Sequence, residues 1–296
     1  MKKQVRKTLT IILTAVFLIS TFMVIWSAIE KKQEQNSLDS AIQLAFGTAS
    51  EAVQAASPEG DVGQTSADRE TGQESGRDAD TEDSEPMDAV MYELAMLDIA
   101  ALQAVNPEVI GWIRIPDTDI NHPLTQGSDN QFYLNHTWDL QSNRHGSIFM
   151  EHSNSPGLTD HHTIIYGHKM LDGTMFADLL NYDSLEYLQA HPYIYVRTES
   201  GVYRYEIYST YSPGMDTPSF ALQLNLDSDK QTFLQMTLDC SEFVTGITPT
   251  WDEPILTLST CSPMGMYYRK IVHSRLDLCA EITVTADFPT VTEELS

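Results

Sequence analysis

Positive charge is scarce in this sequence. Seventeen lysines and arginines stand against 42 aspartates and glutamates, a formal net charge of -25. Binding along a phosphate backbone calls for basic patches, so this balance argues against a nucleic-acid partner. Cysteine is rarer still, with only Cys240, Cys261 and Cys279. None lies in a CxxC or Cys/His spacing, which argues against a metal site. An odd number outside the cytoplasm leaves at least one thiol free or paired between molecules. No internal repeat is found.

What the chain does have is one long apolar run. Residues 9–29 carry no charge over 21 positions. At about 1.5 Å per residue such a helix crosses a hydrocarbon core of about 30 Å. A secretory signal has a shorter apolar centre and a small-x-small cleavage site. Here Trp26-Ser27-Ala28-Ile29 leads into Glu30-Lys31-Lys32 without one, which favours a retained anchor. Lys2, Lys3, Arg6 and Lys7 precede the run, so the expected topology puts the N-terminus inside and everything after residue 30 outside.

Three segments follow from composition: a basic tip and anchor over 1–29, an acidic linker over 30–87, and an ordered domain over 88–296. The linker opens with a short helical pattern at Leu38, Ile42, Leu44 and Ala45, then turns polar through Glu85. Its Asp, Glu, Gly, Ser and Thr cannot bury enough surface to offset ordering entropy, so disorder is expected and acidity should hold it extended as a spacer.

In the domain, Val90, Met91, Leu94, Leu97, Ala101, Leu102 and Val105 recur at helical spacing up to Asn106-Pro107. Short strand patterns follow at 109–116, 120–124, 146–150, 163–166, 193–197 and 202–211, with a hairpin at Glu199-Ser200-Gly201. A capped turn is expected at 128–134 and a short helix at 175–180. Residues 213–253 form a long connection with one helical pattern at 230–238. Many short strands with few helices predict a mostly β fold built on a closed or partly closed barrel.

The candidate nucleophile is Cys261. Leu256, Leu258 and Thr260 alternate with Thr257, Ser259 and Cys261, a strand that ends at the cysteine because Ser262-Pro263-Met264-Gly265 is turn chemistry. A second strand pattern starts at Arg269, which would face the cysteine and favour its thiolate. The competing reading is a buried core cysteine. Cys279, in the run 276–284, reads as a core residue, and Cys240 is unassigned. A cysteine nucleophile needs an acid–base partner, and nine histidines compete for that place. His122, His136, His145, His152 and His191 sit in polar turns and read as solvated. His161 and His162 lack a third ligand for a metal. His273 reads as structural. His168 ends an apolar strand after a glycine, where barrel sites gather their chemistry.

Tyr166-Gly167-His168, then Thr257-Leu258-Ser259-Thr260-Cys261, then Arg269 resembles the sortase family of cysteine transpeptidases. Gly111-Trp112-Ile113, the Asp129-Asn130 to Tyr133-Leu134 element, Ile165-Tyr166-Gly167-His168-Lys169-Met170 with Met175-Phe176, and the helix-bearing insertion before the cysteine strand resemble class B in particular. The likeness covers roughly residues 88–285 and does not extend to the loop Pro263-Met264-Gly265-Met266. It implies an eight-stranded barrel with an N-terminal helix, anchored outside a Gram-positive-type cell. It further implies that Cys261 attacks a threonine carbonyl in the C-terminal sorting signal of a surface protein, forming a thioester. His168 would exchange protons with the leaving and incoming amines, and Arg269 would hold the developing oxyanion. An amine of a peptidoglycan precursor would be the acceptor, with no metal or organic cofactor. Asn130, Leu134, Tyr166, Ser259 and Thr260 match positions lining the family's signal groove. Pilin polymerisation, in which a lysine amine is the acceptor, is the alternative within the family. A non-catalytic adhesin and a cysteine hydrolase of wall peptides are alternatives outside it.

Overall fold

The computed structural model describes residues 2–55, 87–213, 218–222, 224, 226–261, 269–285 and 288–292, with Cys261 described by its backbone alone. The acidic tract at 61–85 and the turn at 262–266 lie outside the described residues.

The first element is one helix, α1 (Lys2–Ala55), so the expected linker is corrected over 30–55. The apolar run is exposed on all sides, whereas Glu34, Ser37, Ala41 and Ala45 beyond it are buried against the domain. Those four recur at helical spacing with small or polar side chains, a stripe that composition alone reads as linker. Two helices follow, α2 (Ala89–Ala95) and α3 (Ile99–Gln103), where the periodicity suggested one. The break falls at Asp98, whose carboxylate accepts from Ala101 N at 3.0 Å and caps a new helix.

The strands are β1 (Val109–Arg114), β2 (Asn121–Thr125), β3 (Ile148–Met150) and β4 (His162–His168). After a 3-10 turn at Ala177–Asp183 and the short α4 (Leu185–Ala190) come β5 (Tyr193–Thr198) and β6 (Gly201–Tyr211). The insertion carries α5 (Asp227–Asp239) and leads into β7 (Ile255–Cys261), β8 (Ile271–Thr285) and β9 (Phe288–Thr292). Strand order is β6-β5-β1-β2-β3-β4-β7-β8, and β8 pairs back onto β6, closing an eight-stranded barrel with β9 added outside β8. Closure leaves none of these eight strands as a free edge.

Alternation puts Ile113, Val196, Ile165, Leu258 and Val272 into the barrel core. Their outward neighbours Trp112 and Tyr195 are buried as well, because α1, α2 and α3 cover that flank. Phe46 of α1 meets the Trp112 ring edge-on at 5.6 Å. A third cluster, Phe233 and Leu234 against Tyr208 and Ile255, seats α5 on β6 and β7.

Candidate active site

Register brings the three candidate residues level. β4 and β7 run parallel with Ile165 opposite Leu258 and, at the strand ends, His168 opposite Cys261. β7 and β8 run antiparallel with Ser259 opposite Ile271. Thr260 N continues the ladder to Lys270 O at 3.0 Å, so the same register sets Cys261 opposite Arg269. Neighbouring strands lie about 4.8 Å apart, which puts the cysteine backbone one strand spacing from each partner. β8 itself starts at Ile271, two residues after the expected start.

Gly167 makes the approach to this row possible. A Cβ there would come within 2.4 Å of Ile148 and 2.7 Å of Phe176. His168 follows, half-buried, with Nε2 at 2.7 Å from the Leu134 carbonyl. A carbonyl only accepts, so Nε2 carries a proton and the ring is oriented by it. Leu134 thus meets the site through its backbone, at the end of a 3-10 turn, Phe132–Leu134, capped by Asp129 Oδ1 (2.8 Å to Gln131 N, 2.9 Å to Phe132 N).

Arg269 is half-buried, with its guanidinium carbon 5.4 Å from the centre of the Phe220 ring. Its Nε is buried and has no hydrogen-bond partner among the described residues. Such a donor costs about 1–3 kcal/mol where it lacks an acceptor, so the described residues leave this cation short of one oxygen. The next residue, Lys270, is fully buried and donates to Asp183 (2.5 Å) and Glu242 (2.9 Å), which pins the chain beside Arg269.

Asn130 and Tyr166 converge on a residue the sequence reading missed. Glu151 Oε2 accepts from Asn130 Nδ2 at 2.5 Å and from the Tyr166 hydroxyl at 3.0 Å, while Oε1 lies 2.7 Å from His152 Nδ1. The Tyr166 ring leans on Phe149 (5.4 Å) and Phe220 (6.4 Å), so aromatic contacts link this carboxylate to Arg269. Ser259 and Thr260 are fully buried, and the Thr260 hydroxyl accepts from Lys270 N at 2.8 Å. Glu151 gave no signal beyond a lone charge after an apolar strand, and Phe220 none inside a long insertion.

Two of the histidines read as solvated are buried. His122 lies in β2, where burial pulls its pKa down to about 4. His145 is enclosed between Asn143 Oδ1 (2.9 Å) and Asp172 Oδ2 (3.2 Å). His162 and His273 are structural. His162 Nδ1 donates to Ala221 O (2.7 Å), so its Nε2 accepts from Thr257 Oγ1 (2.7 Å). The threonine must then accept from His273 Nδ1 (2.7 Å), whose Nε2 takes the Tyr211 hydroxyl (2.9 Å). Tyr211 also meets Ser219 at 2.8 Å. Burial holds both imidazoles well below their usual pKa, so both stay neutral. No metal-ligating cluster occurs among the described residues. Cys240 caps the end of α5 with its thiol pKa raised by burial, and Cys279 is half-buried.

Comparisons with known proteins point to one family. The sortase domain family matches residues 113–277. The curated sortase B of Listeria monocytogenes is 34% identical over 177 residues, 59% of this chain and 72% of that protein. A Bacillus anthracis structure described as similar to sortase B is 35% identical with a TM-score of 0.56, covering 60% of this chain and 81% of that one. A sortase B–substrate complex from Staphylococcus aureus is 29% identical with a TM-score of 0.57, covering 63% and 85%.

Proposed function

The chain belongs to the sortase family of cysteine transpeptidases, and on that footing we propose that it joins surface proteins to a cell-wall peptide from a membrane anchor outside the cell. The reading rests on one observation, the level row formed by His168 at the end of β4, Cys261 at the end of β7 and Arg269 two residues before β8, where Thr260 N still bonds Lys270 O. In the proposed reaction the Cys261 thiolate attacks the carbonyl carbon of the sorting-signal threonine. The C–N bond breaks, a thioester forms, and the leaving amine takes a proton from His168. The wall amine then attacks the thioester, an amide forms, the thiolate departs, and His168 takes the proton back. Arg269, with a buried Nε lacking an acceptor among the described residues, would bind the carbonyl oxygen as its charge develops. Asn130, Tyr166 and Leu134 are assigned to the groove wall, and Ser259 and Thr260 to its floor.

The anchor is assigned to the first half of α1. This helix is long and apolar enough to cross a membrane, and none of its apolar window is buried. Within the run, Thr10, Thr14 and Thr21 each donate to the carbonyl four residues back at 2.9 Å, which satisfies their hydroxyls where water is absent.

The test is product mass. Full-length protein in detergent is given candidate signal peptides with and without a peptide amine such as triglycine. A product ending in an amide to the added amine supports the proposal. A free carboxylate despite abundant amine would favour a hydrolase, and an unaltered peptide with undiminished binding by Cys261→Ala an adhesin.

A further inference from the structure

α1 does not end at the apolar boundary. It continues onto the barrel, and its first contacts there fall within one turn of Ile29. Arg144 hydrogen-bonds Ser27 and pairs with Glu30 at 2.8 Å. Asn143 Nδ2 donates to Glu30 O at 3.0 Å. Lys31 Nζ lies 3.5 Å from Asp172 Oδ2, and Asp172 is held in turn by buried His145 at 3.2 Å. Further along, Trp138 Nε1 donates to Ser37 O (2.8 Å) and Ser37 to Asp139 (2.8 Å). A helix anchored by this run would therefore also set the barrel's height above the bilayer. Ser27 lies near the end of the charge-free run, so a bilayer spanned by that run would have Arg144 at headgroup level.

Asp172 belongs to the loop directly after His168. Its neighbour Leu171 is fully exposed and touches no core cluster. What sets this leucine apart from other exposed ones is its place beside Asp172, which grips the helix just past the apolar run, at the height where that run would leave a bilayer. Charge agrees. A chain of net charge -25 would be repelled by an anionic surface, yet this rim pairs Lys31 with Asp172 and Arg144 with Glu30 and so is locally close to neutral.

We propose that the rim formed by Arg144 and the loop 169–173, with Leu171 at its tip, rests in the headgroup layer of the leaflet in which α1 is anchored, so that the candidate active site opens at the bilayer surface. This rests on the anchoring proposed above. Four residues of chain span at most about 14 Å, so His168 stands within that distance of Asp172.

The test uses full-length protein in vesicles of phosphatidylcholine and phosphatidylglycerol, with a photoreactive benzophenone residue replacing Leu171, Ile19 or Asp252. Asp252 precedes β7 at the end away from Cys261, about 20 Å along the strand. Mass spectrometry should find lipid adducts at 19 and 171, with the yield at 171 at least about five-fold above that at 252. Adducts at 19 with none at 171, or adducts at 171 to protein rather than lipid, overturn the proposal and leave the anchor standing. No adduct at 19 overturns the anchor, and the proposal falls with it.

Discussion

Arg269 sets the most demanding condition in the site, because its buried Nε has no acceptor among the described residues and such a donor is costly until something occupies it. Arg269→Lys should lower kcat/KM about 10²- to 10³-fold, since a point charge cannot reproduce the planar fork that stacks on Phe220. Steady-state kinetics on a cleavable peptide checks this, and equal activity of the two proteins would remove the oxyanion role. Glu151 offers a second test. Its Oε2 gathers Asn130 and Tyr166, so Glu151→Ala should raise KM about ten-fold with kcat within about two-fold. Cys261, His168 and Arg269 were legible as candidates because the proposed chemistry demands unusual residue types at or beside strand ends. Sequence did not display Glu151, Phe220 or Lys270, whose importance comes only from what folds against them.

Among the elements, β7 was legible from its alternation, whereas of α1 beyond Ile29 only a short helical pattern at Leu38 to Ala45 was, and not its continuity with the apolar run or its docking on the barrel. Helical residues whose buried stripe is Glu34, Ser37, Ala41 and Ala45 look like linker until a barrel covers them. Glu34 carries a consequence. Burial, then the nearby Asp172 charge, outweigh Lys31 and push its pKa up to about 7, with Asp39 adding to the rise. A carboxyl raised above its unfolded value favours the docked state while protonated, so docking should be strongest below about pH 4.5 and weaken as pH climbs to 7. Asp172 stays ionised across that window, because hydrogen bonds from His145 and Thr174 overcome its desolvation and hold its pKa at about 2. Hydrogen exchange of residues 30–46 should therefore be faster at pH 8 than at pH 5.5 after correction for intrinsic rates, and Glu34→Gln should flatten the difference. The chain from His162 through Thr257 and His273 to Tyr211 ties the insertion to the barrel. Thr257→Val strands both imidazoles and should cost about 1–3 kcal/mol in a denaturant titration, whereas an unchanged midpoint would mean that the network is dispensable.

For the molecule as a whole, the barrel was foreseeable from many short strands with intervening turns, but its closure by β6 on β8 depends on long-range register that no local pattern carries. The acidic stretch 61–85 is not what separates the apolar run from the barrel, because residues 30–46 of α1 already dock there, so the expected spacer role between membrane and domain is corrected. Deleting it from the full-length chain should leave turnover within about two-fold, and a large loss would place that stretch in contact with the site. The central claim is that Cys261 takes an acyl group from a threonine carbonyl, and trapping that group tests it most directly. Full-length protein is incubated with candidate signal peptides, quenched in acid and digested for mass spectrometry. The expected result is a thioester adduct on the peptide containing Cys261, its mass ending at threonine, absent in Cys261→Ala and discharged by added amine. Cleavage of the signal peptide by the Cys261→Ala protein at the parent rate would contradict it.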